Sequence, residues 1–352
     1  MDLLICGKSA LNFYRTPPQL LELYPAIPLP VEDSNHIKRA TSPIVTDLLG
    51  TPLHRVVAQK QQRSGAELYR DHFFQYELPP GSVLDTDYGF RVTSPAMTLL
   101  SLAAGIPRTH LLMLLYEMTG CFAVCSLCDR SEHLLRQALD QRFVLSNEGW
   151  RRVVDVNGNG TNLWNRPPLL TVAELKAFCN HARGFRGVKN LVWALEHVTG
   201  ETASPFEVQA SILLAAPRAA GGEGLPIKNN QRIQLSKAAR AIYDRTSCYA
   251  DILIEGQGDN AGVVIECQGR SVHASDRASL LDSNRTTALT RMGYEVILLT
   301  YEQIANARAF DAVLEIIARK TDVDRRPKTV RHRAAEEKVR SELFIEWNAL
   351  GE

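Results

Sequence analysis

Long apolar runs are missing from this sequence of 352 residues. No segment reaches the roughly 18 continuous apolar residues that a membrane-spanning helix needs. Residues 1–7 also lack the basic stretch and the long apolar core that are typical of a secretory signal. We therefore expect a cytoplasmic protein that has no membrane partner.

A disulfide framework and a strong net charge are absent as well. The seven cysteines are odd in number and lie scattered in apolar contexts, a pattern typical of a reducing compartment. The formal net charge is only +1, which neither indicates nor excludes a nucleic-acid partner, because a local basic patch can act within a neutral chain. The length exceeds that of one ordinary core, so we expect at least two domains.

Three of the cysteines, Cys121, Cys125 and Cys128, have the spacing of the iron–sulfur site in radical-SAM enzymes. No β/α-barrel pattern and no glycine-rich segment accompany them. We therefore predict buried free cysteines, which pack as small hydrophobic residues. A zinc site that uses His110 or His133 is the alternative.

Four segments are predicted along the chain. The first combines strands, at Leu53 to Ala58 and His72 to Leu78, with helices in a mixed α/β domain, and the second is mainly helical. The third begins with the capping-box pattern Ser204-Pro-Phe-Glu207 and follows the order αβββαβα. The fourth is a flexible basic tail followed by a helix over Ala334 to Leu350. The expected boundaries are 1–115, 116–200, 201–320 and 321–352.

Two acidic residues lie in strand-like runs that a short polar loop connects. Asp251 begins the run Asp-Ile-Leu-Ile, and Glu266 follows Val-Val-Ile in the second run. If the runs form a hairpin in which Ile254 faces Val263, the same register places Asp251 opposite Glu266. Opposed side chains lie about 5 Å apart, and two carboxylates that close repel each other unless a cation lies between them. The pattern therefore predicts a site for Mg²⁺, which prefers oxygen ligands.

An ordered set of motifs surrounds this hairpin. Glu207 follows Ser-Pro on the preceding helix, Asp251 and Glu266-Cys-Gln-Gly lie on the hairpin, His273 comes shortly after, and Asp-Ser-Asn-Arg ends at Arg285 in the next helix. The segment resembles the restriction-endonuclease-like fold of the PD-(D/E)xK nucleases. More narrowly, it is similar to the very-short-patch-repair-like endonuclease domains. The resemblance implies an αβββαβα core at 203–320 and hydrolysis of DNA that depends on Mg²⁺ or Mn²⁺.

The resemblance also implies roles for single residues. Asp251 and Glu266 would hold the ion, and Glu207 would complete its shell. His273 would act as general acid or base, since histidine titrates near neutral pH. Arg285 would bind a phosphate. Plainer interpretations remain open, namely a capping residue for Glu207, a solvent-facing loop residue for His273 and a surface ion pair between Asp282 and Arg285.

Gln268 departs from the pattern, because this third catalytic position is often Lys or Asp in such nucleases. Glutamine carries no charge and cannot act as a general base, so it can only orient a water or a phosphate by hydrogen bonds. Two functions follow. The first is a metal-dependent DNA endonuclease, and the alternative is a regulator that has kept the nuclease fold as a DNA-docking surface.

The first segment is similar to the AbiEi-type antitoxins of bacterial abortive-infection systems. The similarity rests on the opening strand with Gly7-Lys-Ser-Ala-Leu-Asn-Phe-Tyr and on the element from Arg91 to Ala103, which reads Thr-Ser-Pro before an apolar helix. The winged-helix segment usual in those proteins is absent. The resemblance implies a toxin–antitoxin, phage-defence or DNA-repair setting in a bacterium, where this segment positions the chain on DNA or on a partner protein.

Overall fold

The computed structural model describes residues 3–28, 35–63, 67–141, 147–256, 261–268, 276–321, 323 and 326–352. The chain divides into two compact units. Unit 1 contains Met1–Val153, Asn162–Glu196 and Glu346–Glu352, and unit 2 contains Val154–Thr161 and His197–Ile345. The fold is mixed α/β with three sheets in the described residues, which agrees with the predicted class. Every helix in these residues falls short of the length and hydrophobicity needed to span a bilayer.

Unit 1 contains a five-stranded sheet with the order β3-β2-β1-β5-β4 and most of a three-stranded sheet with the order β6-β8-β7. The strands are β1 (Leu4–Ile5), β2 (Leu53–Val56), β3 (Tyr69–His72), β4 (Val83–Asp85), β5 (Arg91–Thr93), β6 (Phe122–Val124), β7 (Arg151–Val154) and β8 (Gly160–Asn165). The helices are α1 (Gly7–Arg15), α2 (Pro18–Leu21), α3 (Asn35–Ala40), α4 (Pro95–Leu102), α5 (Arg108–Thr119), α6 (Asp129–Asp140), α7 (Val172–His181) and α8 (Val188–His197). The segment 116–200, predicted to be mainly helical, thus also contains a sheet.

The predicted strand from His72 to Leu78 is wrong, because β3 ends at His72. The aromatic residues that follow, Phe74 and Tyr76, pack instead against the ring of Phe185, with centroid separations of 6.4 and 5.6 Å. Alternation of apolar residues predicted a strand here. The two aromatic side chains therefore belong to a loop that packs against Phe185 of the same unit.

A buried acidic residue organises the interior of unit 1. Glu117 on α5 receives Arg15 Nη2 at 2.6 Å and the indole Nε1 of Trp347 at 2.8 Å. The backbone N–H of Val124 donates to its other oxygen at 3.2 Å. Burial alone would raise the pKa of Glu117, but the Arg15 guanidinium and these hydrogen bonds hold the pKa below its usual value. The carboxylate therefore stays charged inside the unit.

Unit 2 has a four-stranded sheet with the order β12-β11-β10-β9. Its strands are β9 (Ile227–Gln234), β10 (Ser247–Glu255), β11 (Gly262–Gln268) and β12 (Tyr294–Thr300). Its helices are α9 (Pro205–Ala215), α10 (Lys237–Arg240), α11 (Asp276–Arg291), α12 (Tyr301–Ala305), α13 (Ala307–Thr321) and α14 (Val330–Leu343). The central strand β11 is buried from Gly262 to Glu266, which explains its continuous apolar run.

The hairpin register predicted for β10 and β11 is confirmed, because Ile254 pairs with Val263. Helix α9 begins after Ser204, as the capping-box pattern predicts, and ends at Ala215.

The prediction for the C-terminal segment is wrong in two respects. The last helix spans Val330–Leu343 rather than residues 334–350, and a short 3-10 turn follows at Trp347–Ala349. The basic segment is not a flexible tail over its described part, since the Lys328 side chain is only 4% exposed. Its ammonium lies within 3.0 Å of a carboxylate oxygen of each of three acidic residues, Glu223, Asp311 and Glu336.

Candidate functional site

Strand β10 is irregular at Asp251. Its register with β9 pairs Ile252 with Asn229 but skips the position of Asp251, and Asn230 on the facing strand has a φ of +47°. Its pairing with β11 ends at Ile252, which faces Ile265. A local break of this kind bends a strand and redirects the side chain at the break. Both ladders of β10 are thus interrupted at the same acidic residue.

The Asp251 carboxylate accepts a hydrogen bond from the backbone of the neighbouring strand, where the regular pairing of β10 and β11 has ended. Its Oδ2 accepts a hydrogen bond from the backbone N–H of Cys267 at 2.8 Å. Glu266 precedes Cys267 and lies one position beyond Ile265, the last residue of β11 that pairs with β10. The two acidic residues are therefore neighbours on adjacent strands, as the hairpin pattern predicts.

Asn229 was missed by sequence reasoning, although it helps to hold Asp251. Its buried amide donates to Ser211 Oγ on α9 at 2.7 Å and to the backbone carbonyl of Asp251 at 3.3 Å. The amide thus joins α9 to the irregular point of β10. An asparagine flanked by polar residues in a strand gives no sequence signal that separates this role from an exposed position.

Glu207 comes from the first turn of α9. Its two oxygens accept hydrogen bonds from the backbone N–H of Ala203 at 2.7 Å and from the hydroxyl of Ser204 at 2.9 Å. Ser204 Oγ in turn accepts from the Glu207 N–H at 3.2 Å, which confirms that the pair caps the helix. The plainer interpretation of Glu207 is therefore correct, and its predicted metal-ligand role remains a prediction.

The three carboxylates influence one another electrostatically. Burial, together with the nearby charges of Asp251 and Glu266, raises the pKa of Glu207 to about 7, although the capping hydrogen bonds lower it in part. Burial also raises the pKa of Asp251, which the Cys267 hydrogen bond and the Arg285 charge partly offset. Like charges that share a site disfavour ionisation. A site of this kind gains stability from any cation that enters it.

One cation of the chain already lies at this site. Arg285 on α11 places Nη2 2.7 Å from Oε2 of Glu266, and the two side chains are 26% and 8% exposed. The Asp282 side chain lies outside the described residues, so the surface ion pair between Asp282 and Arg285 remains a prediction. The observed pairing with Glu266 joins the helix to the central strand.

Gln268 and His273 complete the set of predicted site residues. Gln268 is the last residue of β11 and is exposed, two positions beyond the buried Glu266. Residues two apart on a strand project from the same face, so its amide lies at the solvent side of the carboxylates. His273 lies outside the described residues, and its predicted role as acid or base remains a prediction.

The three cysteines with iron–sulfur spacing are free thiols, as expected, but only Cys125 is buried. Burial raises its pKa to about 12. Cys121 is half-buried, and the exposed Cys128 caps α6 by accepting the backbone N–H of Ser131. The prediction that all three are buried is therefore wrong.

Within the residues that the structure describes, no group of three or more His, Cys, Asp or Glu side chains is arranged to hold a metal ion. This finding covers the cysteines and the three carboxylates as their side chains now lie. A metal ion would thus have to be held by fewer side chains or after a change of rotamer. No protein-family model, no curated protein and no solved structure matches this chain.

Proposed function

We propose that unit 2 hydrolyses phosphodiester bonds in DNA with the help of Mg²⁺ or Mn²⁺, and that Asp251 and Glu266 hold the ion. The observation that supports this best is the convergence of these two carboxylates with Glu207 at the irregular point of β10. Carboxylates crowd together in this way at a cost that a divalent cation relieves.

The donor chemistry of the site fits the ion. Mg²⁺ is bound in proteins by one or two carboxylates and keeps several waters, so Asp251 and Glu266 suffice without a third side chain. Glu207 gives both oxygens to its helix cap, and it would join only if the cap opened. Glu266 would have to exchange Arg285 for the ion, at least in part.

When bound, the ion would neutralise the phosphate and lower the pKa of a coordinated water. The residues of the chain would supply orientation. Gln268 would align water or phosphate through its amide. Arg285, released from Glu266, would bind a phosphate oxygen, for which its planar fork of donors is suited.

The order of elements in unit 2 also supports the proposal. Apart from the short helices α10 and α12, it runs α9, β9, β10, β11, α11, β12, α13, which is the order that the sequence predicts for a restriction-endonuclease-like core. We further propose a bacterial cytoplasmic setting in phage defence or DNA repair. Unit 1 would provide the AbiEi-like part that positions the chain on DNA or on a partner protein.

A second candidate is a regulator that binds DNA and does not cut it. The ion pair between Arg285 and Glu266 favours this alternative, because the guanidinium already balances a buried carboxylate. Gln268 favours it too, since an uncharged side chain stands where a catalytic acid or base would help most.

Cleavage of supercoiled plasmid in the presence of Mg²⁺ or Mn²⁺ separates the two candidates. We expect the wild type to nick the plasmid, and Asp251→Asn and Glu266→Gln each to abolish nicking. The matched control is Glu255→Gln, which removes an exposed carboxylate of the same strand and should cut normally. Intact plasmid with retained DNA binding would support the regulator. Nicking by the double variant Asp251→Asn, Glu266→Gln would refute the proposed ligands.

A further inference from the structure

The antiparallel ribbon of β9 and β10 has one buried face and one open face. Tyr249 pairs with Arg232 in the register, and Cys248 pairs with Ile233. Directly paired residues project from the same face. Cys248 and Ile233 are buried in the core of unit 2, whereas Arg232 is exposed and Tyr249 is 52% exposed. The ribbon therefore presents an aromatic ring and a guanidinium side by side to solvent.

The open face continues with polar residues. Ser247 pairs with Gln234, two residues along the ribbon from the pair of Tyr249 and Arg232 and on the same face. Arg232 Nε donates to Ser247 Oγ at 3.0 Å. This hydrogen bond holds the arginine on the open face instead of leaving it extended into solvent. We call the four residues Arg232, Gln234, Ser247 and Tyr249 the ribbon face.

Positive charge is concentrated in the segment that contains the ribbon. Residues 227–249 contain five basic residues and one acidic residue, Asp244, an excess of four positive charges in a chain whose formal net charge is +1. All five basic side chains belong to exposed residues, and they are Lys228, Arg232, Lys237, Arg240 and Arg245. Lys228 pairs with Glu255 at 2.7 Å. Arg232 lies on the ribbon face itself, where its guanidinium attracts an anionic group. Lys237 and Arg240 lie on α10, whose Ala239 packs in the core with Cys248 and Ile233.

The ribbon face lies beside the candidate site. Tyr249 precedes Asp251 by two residues on β10, a distance of about 7 Å along a strand. A polyanion bound along the ribbon would thus bring its backbone next to the carboxylates. The positive charge of the ribbon offsets the repulsion that these carboxylates exert on a phosphate.

We propose that the ribbon face binds single-stranded DNA, with an unpaired base stacked on Tyr249 and a phosphate at Arg232. This inference rests on the proposed function, because the charge alone fits any polyanion. The exposed ring beside a guanidinium favours a single strand. Bases in a duplex are already stacked on their neighbours, whereas a splayed base stacks readily on aromatic and arginine side chains.

Binding of a labelled mixed-sequence 16-nucleotide DNA strand, measured by fluorescence anisotropy in EDTA, tests the inference. We expect Tyr249→Ala to weaken binding about 5- to 150-fold, the range for loss of one stacked base, and Tyr249→Phe to bind as the wild type. Arg232→Ala should reduce the slope of log affinity against log salt by about 0.7. The control Arg183→Ala, an exposed arginine in unit 1, should leave both quantities unchanged.

Equal affinity of wild type and Tyr249→Ala, or tighter binding to the corresponding duplex than to the single strand, would overturn the inference. Failure of the hydrolase proposal is a separate result, because binding is measured without a divalent ion. If the Asp251→Asn, Glu266→Gln variant still binds the strand in a manner sensitive to Tyr249, the ribbon face stands even when no plasmid is cut. If plasmid is cut but Tyr249→Ala binds normally, hydrolysis stands and the ribbon face does not.

Discussion

Arg285 on α11 and Glu266 on β11 form a close ion pair, with Nη2 2.7 Å from Oε2. The carboxylate belongs to the most buried strand of unit 2, and the guanidinium reaches it from a helix that follows in the chain. The pair therefore joins two elements of the fold at the point where the proposed ion would bind. We therefore expect Arg285 to stabilise the fold and to weaken the binding of a metal ion at Glu266.

Replacement of Arg285 by Gln should separate the effect on stability from the effect on metal affinity. We expect a loss of about 1–3 kcal/mol in stability, reduced from the range for fully buried pairs because the guanidinium is partly exposed. Mn²⁺ should bind more tightly, since the competing cation is gone, while DNA cleavage falls. Calorimetric titration with Mn²⁺ measures the affinity, and Arg291→Gln at the exposed end of the same helix is the control. Unchanged Mn²⁺ affinity in Arg285→Gln would place the ion elsewhere.

The raised pKa of Glu207 predicts a pH dependence. Its pKa is about 7 in the fold against an ordinary value of 4.5, so its protonated form is favoured by folding. The stability it contributes is complete below pH 4.5 and is lost as the pH rises through 7. Glu207→Gln should therefore flatten the decline of unit 2 stability between pH 4.5 and 8.

Hydrogen exchange of α9 backbone amides, followed by mass spectrometry at several pH values, measures this effect. Glutamine keeps an acceptor for the Ala203 N–H, so the helix cap should survive the substitution. A difference between wild type and variant that stays constant over the whole pH range would contradict the shifted pKa. Added Mg²⁺ should also flatten the wild-type profile, because a cation at the neighbouring carboxylates lowers the pKa of Glu207.

Glu117 in unit 1 should give stability a pH dependence opposite to that of Glu207. Its pKa is held below the usual value, so its contribution is present above pH 4.5 and is lost as the pH falls through the lowered pKa. Trp347→Phe removes one donor to this charged group while keeping a ring against Phe122, and we expect a loss of about 1.5–3 kcal/mol at pH 7. All four tryptophans belong to unit 1, so fluorescence during urea unfolding reports on it alone. A variant as stable as the wild type would show that the indole N–H contributes nothing.

Lys328 should be essential for the stability of unit 2. Its ammonium is surrounded by three carboxylates and is 4% exposed. Lys328→Met would leave these acids without their shared cation, and we expect a loss of about 3–5 kcal/mol, larger at pH 8 than at pH 5. Thermal unfolding followed by circular dichroism measures the loss. Lys338→Met, at a side chain that is 77% exposed, is the control and should unfold as the wild type.

Much of unit 2 could be predicted from the sequence because its signals are local. The apolar run of β11 and the turn beside Gly262 set the hairpin register that places Ile254 opposite Val263. The Ser-Pro-Phe-Glu pattern fixes the start of α9 through bonds within four residues. Local patterns of this kind specify an element whatever the remainder of the chain does.

The parts that could not be predicted depend on contacts between distant residues. Glu117 and Trp347 are 230 positions apart, and neither residue type indicates the other. Lys328 reads as part of a basic run, which usually means a solvated segment; its burial depends on acids from two other elements. The same holds at the candidate site, where Asn229 and Arg285 act through partners that no spacing rule connects.

The return of residues 346–352 to unit 1 makes unit 2 an insertion in the chain of unit 1. During translation, about 150 residues are made between the two parts, which takes on the order of 8–30 seconds at ordinary elongation rates. Throughout that interval the nascent N-terminal portion has Arg15 and Glu117 but still lacks the indole that completes their cluster. The cluster of Arg15 and Glu117 is therefore completed only after residues 346–352 have been made.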